Sequence, residues 1–197
     1  MPGNEDVRND TERQIVDAAY DAVAVHGIAR LSLADVAKRA GLSRQTLYRY
    51  FPSKDDLLDA VVAREEERFR DRIRVAVDGT GEPVEAVRAA LATTLEAVRC
   101  HPLVERLLET EPETLVPYLA IGSLPGPDTA RHLTRLLIDL VPDLAPDEAR
   151  RVADVLSRLI ASYVLDPFDE PPAEFAAWFT DLLFAGMTRE RTPEGAR

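Results

Sequence analysis

Apolar residues recur at three- and four-residue spacing through almost the whole 197-residue chain, and no stretch alternates as a strand would. Ile15, Ala18, Ala19, Ala22 and Val23 form the stripe of a first helix over 11–26, which Thr11 or Asp10 can cap and Gly27 ends. The acidic first ten residues lie outside that stripe and read as a disordered arm. Leu33, Val36 and Ala37 mark a short second helix, with Ser32 in front of it as its N-cap. Gly41 stops it, because a residue without Cβ tolerates the left-handed conformation. Ser43 caps a third helix from Arg44 to Phe51, closed by Pro52. Ser53 opens a fourth that reaches about Val77, with Asp55 and Asp56 at its positive end. Leu57, Leu58, Val61 and Val62 give the fourth helix an apolar start. Its centre, AREEERFRDRIR, is highly charged, with Phe69, Ile73 and Ala76 as a thin apolar line. This pattern fits a connector between two domains and equally a solvated surface helix. Glu65, Glu66 and Glu67 point in different directions on a helix and read as a solvated face.

The run Asp78-Gly79-Thr80-Gly81 is the clearest break. Pro83 then opens a helix to about Cys100 with Val87, Leu91, Leu95 and Val98 on one face. His101-Pro102 precedes a short helix over 103–109. Another begins near Pro112 and carries Leu115, Val116, Tyr118, Leu119 and Ile121, with Pro117 kinking or splitting it. Residues 122–127 read as a loop, and Asp128 caps a helix to Leu140 with Leu133, Leu136, Leu137 and Leu140 inward. Two long helices finish the chain, over about 146–165 and 173–187. Val152, Val155, Leu156, Leu159, Ile160 and Tyr163 form the stripe of one. Phe175, Trp178, Phe179, Leu182, Leu183 and Phe184 crowd the other. Four of the six phenylalanines and the single tryptophan fall between 168 and 184. That is more aromatic surface than one buried face needs, and a second subunit would cover the excess.

Charge changes the picture locally. The chain carries −11 overall, yet residues 30–54 hold six basic side chains (Arg30, Lys38, Arg39, Arg44, Arg49, Lys54) and one acid, Asp35. That window is +5 and the remainder −16. A basic patch on an acidic body suits a protein that docks one face on DNA and repels it elsewhere. No apolar run reaches the ~20 residues of a membrane span, and the polar N-terminus resembles no targeting peptide, so a cytoplasmic protein without a membrane partner is expected. Cys100 is the single cysteine and is expected to be a buried, inert thiol. His26, His101 and His132 are isolated, and neither a phosphate loop nor a nucleophile elbow occurs. No enzyme, metal or cofactor is expected.

Two short helices around a glycine-containing turn are a helix-turn-helix. On its second helix, Leu47, Tyr50 and Phe51 share the arc that faces the core. Gln45, Tyr48 and Arg49 fall opposite, with Arg44 and Thr46 at the shoulders. Arginine can pair with guanine in a major groove, glutamine with adenine, and a threonine methyl can touch thymine. Tyr48 and Lys54 suit phosphates, which fix register without reading sequence.

The run AGLSRQTLYRYFPSKDDLL closely resembles the DNA-binding segment of TetR-family transcriptional regulators. Ala40, Gly41, Thr46, Leu47, Tyr48, Tyr50, Phe51 and Lys54 carry the match, which covers roughly the first 65 residues. The resemblance implies an all-α protein: a three-helix DNA-binding domain over 9–69, with its helix-turn-helix core at 32–51, and a larger helical effector-binding and dimerisation domain over 79–190. The expected partners are double-stranded DNA, a second copy of the chain, and a small-molecule effector. The expected DNA contacts are Ser32, Arg44, Gln45, Thr46, Tyr48, Arg49 and Lys54. Family members dimerise through their two C-terminal helices, which here places Val152, Leu156, Leu159, Tyr163, Phe175, Trp178, Phe179 and Leu182 at the interface. They bind effectors among the middle helices, where Leu91, Leu95, Val98, Leu103, Leu107, Tyr118, Leu133 and Leu137 are candidate walls. The low polarity of those walls favours a hydrophobic or amphipathic ligand. Arg158 could meet an anionic ligand or pair with Asp154, and the pair is preferred. The expected function is that of a homodimeric repressor released by ligand. A helical adaptor that binds protein instead of DNA is the alternative.

Overall fold

The computed structural model describes residues 4–113 and 129–189. Nine helices, and no strand, occur among them: α1 (Asn4–His26), α2 (Leu33–Arg39), α3 (Arg44–Tyr50), α4 (Lys54–Val77), α5 (Pro83–Arg99), α6 (Pro102–Thr110), α7 (Thr129–Leu140), α8 (Pro146–Leu165) and α9 (Pro172–Arg189). The expected helix near Pro112, the loop at 122–127, the Asp128 cap and Tyr118 lie outside the described residues. The described chain divides into two compact units, 4–68 with 101–113 and 69–100 with 129–189.

In the first unit, Ile15, Ala19 and Val23 of α1 meet Val36 and Ala37 of α2, Leu47 of α3, and Leu57 and Val61 of α4 in one aliphatic core. Helix α1 corrects one expectation. It begins at Asn4, so the acidic N-terminal stretch is helical rather than a disordered arm. No proline or glycine interrupts the chain from Asn4 to His26. Thr11 is therefore interior, and its hydroxyl donates to the Val7 carbonyl at 2.8 Å instead of capping. Helix α6 belongs to this unit and packs on α1, with Leu103 against the aliphatic core and Leu107 buried.

The centre of α4 is also less solvated than its charge suggests. Arg64 pairs with Asp17 of α1, and Arg68 lies 3.7 Å from the same carboxylate. Glu65, expected on a solvated face, is largely buried: it accepts from Arg68 at 2.9 Å and lies 3.5 Å from His101 Nε2. Arg64 and Glu65 are largely buried among these partners, while Asp17 and Arg68 stay about half exposed.

The second unit packs α5 against α9 and α7 against α8. Val87, Leu91, Leu95, Leu137, Ala153, Leu156 and Tyr163 lie in its core. A ladder of rings runs from Tyr163 to Phe168 (5.1 Å between centroids), Phe175 (4.3 Å) and Phe179 (5.8 Å). Offset and tilted rings at such distances add to the gain from burial. Cys100 follows the last turn of α5 and is exposed, which corrects the expectation of a buried thiol.

Candidate nucleic-acid interface

The turn between α2 and α3 is built from its own backbone and one side chain of α1. Gly41 takes φ +65°, where a Cβ would be strained. The Leu42 amide then reaches back to the Ala37 carbonyl at 2.8 Å. Gln14 donates from α1 to the Ala40 carbonyl at 2.9 Å. Gln14 is a contribution that apolar periodicity does not reveal.

Ser43 caps α3 as its sequence position predicts. Its hydroxyl oxygen accepts the Thr46 amide at 3.0 Å and shares a 2.8 Å hydrogen bond with the Thr46 hydroxyl. Leu47 is fully buried beneath the helix and Phe51 beside it, while Arg44, Gln45, Tyr48 and Arg49 are exposed. Thr46 is half-buried against its cap. The Arg49 guanidinium lies 5.6 Å from the Tyr50 ring centroid, within cation–π range. A seven-residue helix thus turns two arginines, a glutamine and a tyrosine to solvent on the side opposite its anchor. Arg30, Lys38 and Arg39 are also exposed, the last 3.1 Å from His26 Nε2.

Ser32 precedes α2 in an extended conformation, but its side chain makes no capping bond. Its carbonyl accepts the Asp35 and Val36 amides instead. At the head of α4, Ser53 and Asp56 form a reciprocal cap: Asp56 N–H to Ser53 Oγ at 3.1 Å and Ser53 N–H to Asp56 Oδ2 at 3.0 Å. Lys54 departs from a purely phosphate-directed role. Its ammonium donates to the Ile28 carbonyl at 2.6 Å, which leaves two of its three hydrogens.

The expected effector walls divide between the two units. Leu91 and Leu95 are buried in the core of the second unit, where Val98 and Leu133 are half-buried, whereas Leu107 belongs to the first unit. Arg158 is exposed and pairs with Asp154 through bonds of 3.1 and 3.3 Å. Of the expected dimer residues, Leu156, Tyr163 and Phe175 are buried within their own unit, and Val152, Leu159 and Phe179 are half-buried. Trp178 and Leu182 are 58% and 57% exposed, and Val155, absent from the expected set, is 56% exposed. An apolar depression of about 160 Å³, lined by Arg151, Val152, Val155, Phe179 and Leu183, lies on this side of α8 and α9.

Residues 15–61 match the family model of bacterial regulatory proteins of the tetR family, and residues 82–184 match that of the tetracyclin repressor C-terminal domain. An HTH-type transcriptional regulator of Mycobacterium tuberculosis is 39% identical over 89 residues, 45% of this chain. The chain spans 44% of that relative's length. In fold it is similar to the TetR family repressor AlkX of Dietzia sp., implicated in biodegradation of n-alkanes (TM-score 0.65, 24% identity, 90% of this chain and 95% of that one). It is also similar in fold to the transcriptional regulator FadR of Bacillus subtilis, solved in complex with stearoyl-CoA (TM-score 0.58, 19% identity, 88% and 98%). With one model matched by the helix-turn-helix and a second by more than half of the chain, this protein belongs to the TetR family of bacterial regulatory proteins.

Proposed function

We propose that the chain is a homodimeric, sequence-specific transcriptional repressor that leaves a near-palindromic operator when it binds a small hydrophobic or amphipathic molecule. The observation that carries this reading is α3 itself. Its buried Leu47 anchors a helix whose Arg44, Gln45, Tyr48 and Arg49 are exposed within a local +5 window of an otherwise acidic chain. In this reading Gln45 and Arg49 read base edges, with Arg44 and Thr46 beside them. Tyr48, Ser32 and the free hydrogens of Lys54 hold phosphates. The DNA-binding domain spans 9–69, and the domain over 79–190 takes the effector and the second subunit.

The dimer would form on α8 and α9, where Val155, Trp178 and Leu182 are exposed beside the apolar depression. Two-fold symmetry would set the two α3 helices about 34 Å apart, or a multiple of that, on successive major grooves. The apolar character of the effector is supported by the residues of the second core and by the n-alkane and stearoyl-CoA associations of the two similar folds. Ligand would act by favouring a dimer whose two heads cannot engage both half-sites together.

Selection of bound duplexes from a random-sequence pool, at two salt concentrations, tests this reading. The expected result is a near-palindrome whose affinity falls steeply with salt. Recovery of no motif by an intact dimer would sink the reading and favour a protein-binding adaptor. For the effector, thermal stabilisation by polar compounds alone would count against an apolar ligand.

A further inference from the structure

The turn between α1 and α2 is held from two sides by distant residues. Gly27 ends α1 at φ +81°, its amide bonded to the Val23 carbonyl at 2.8 Å. The Ile28 carbonyl accepts both the Leu31 amide at 3.0 Å and the Lys54 ammonium at 2.6 Å. The Ala29 amide has no partner in the turn. It donates instead to Glu111, with the two carboxylate oxygens at 3.1 and 3.0 Å. Glu111 sits at the end of α6, and its carboxylate lies over Gly27 so closely that a side chain at position 27 would collide with it.

Stability alone does not recommend a carboxylate there. It lies at the C-terminal end of its own helix and beside that of α1, where helix dipoles disfavour negative charge. No arginine, lysine or histidine forms an ion pair with it among the described residues. What the carboxylate does is fix one amide. The residues that follow that amide are Arg30, exposed and basic, and Ser32, whose hydroxyl is free of capping duty.

We propose that Glu111 is a positioning residue for DNA binding: it latches the α1–α2 turn through Ala29 N–H and so sets where Arg30 and Ser32 meet the phosphate backbone. This rests on the DNA-binding reading given above. Because Glu111 acts on phosphate contacts, its loss lowers affinity on every sequence and leaves base preference unchanged.

The test compares the full-length chain with Glu111→Ala and Glu111→Gln, using the duplex selected by the wild type and single-base variants of it. Hydrogen exchange at the Ala29 amide reads the latch, and stoichiometric titration gives the active fraction. In Glu111→Ala, Ala29 exchange should accelerate while the α1 core amides stay protected. Affinity should fall roughly tenfold, as for a lost hydrogen bond to a charged group, at full active fraction and with the same ranking of duplexes. Glu111→Gln keeps one carbonyl acceptor and should recover part of both losses. Unchanged Ala29 exchange, affinity within about twofold of wild type, or loss of protection throughout α1 with a falling active fraction would each overturn the role. A wild type that binds no duplex overturns the role together with the functional reading, and the exchange arm still reports whether the latch exists.

Discussion

The two units of this protein bury alike and expose differently. The first closes an aliphatic core of Ile15, Val23, Val36, Leu47 and Leu57, and beyond it presents arginines, a glutamine and a tyrosine on α3. The second closes an aromatic and aliphatic core and then leaves Val155, Trp178 and Leu182 more than half exposed. A face that alternates between water and DNA has to be polar in both states. A face permanently covered by a partner can be apolar, and a large exposed indole is costly unless something covers it. On the reading proposed above, the difference is that the first surface serves reversible contact and the second lasting contact.

The largest expected effect tests whether the first unit is held by its own core. Leu47 is fully buried between helices, so Leu47→Ala should lose about 2–5 kcal/mol of stability in chemical denaturation. A loss below about 1 kcal/mol would mean that α3 is held by its turns rather than by its anchor.

Trp178→Glu probes the other surface. Trp178 is 58% exposed although its ring meets those of Phe175 (5.6 Å) and Phe179 (6.4 Å), so the larger part of the damage should fall on self-association. An aromatic anchor at an interface centre carries about 2 kcal/mol or more, and sedimentation should show the dimer dissociating at micromolar concentrations. The melting temperature of the variant should no longer depend on protein concentration. A wild type that is already monomeric would break the comparison outright.

Much of this architecture was legible because proline and glycine punctuate it. The bounds of α4 and α8 agree with the sequence reading, and both have strong start signals, the Ser53 cap and Pro146. The α3 face was legible for a related reason, since seven residues at fixed angular spacing leave little choice once Leu47 is inside. Glu111 and Lys54 were not legible as clasps of one turn, because they reach Ala29 and Ile28 from 82 and 26 residues away. Periodicity reports which side of a helix is apolar; it is silent about which helix comes to lie there. The placement of α6 shows the same gap: Leu103 and Leu107 could have served either core. Cys100 was misread because its position past the last turn of α5 removes it from the stripe that Leu91 and Leu95 define.

On the polar face, Gln45→Ala or Arg49→Ala should reduce discrimination between operator variants by about 1–3 kcal/mol, measured by competition binding at fixed salt. Lys54→Ala should weaken all sequences nearly equally and flatten the salt slope by about one ion. Because the Lys54 ammonium also holds the Ile28 carbonyl, that variant should show faster amide exchange in the α1–α2 turn. Equal losses on every duplex for all three variants would remove the division between reading and holding.

The smallest expected effect separates two serines that the sequence presents as equivalent caps. Ser43 spends its hydroxyl on the Thr46 amide, so Ser43→Ala should cost about 1 kcal/mol of stability. Ser32 has the same extended backbone, yet its hydroxyl caps nothing, and Ser32→Ala should leave stability within about 0.5 kcal/mol of wild type. If the Ser32 hydroxyl serves a phosphate, the cost of its removal should appear only in DNA affinity, and equally on matched and mismatched duplexes. Denaturation and binding on the same two variants therefore read opposite outcomes from one chemical change. A Ser32→Ala variant that loses stability and keeps its DNA affinity would return Ser32 to the role of cap and withdraw it from the interface.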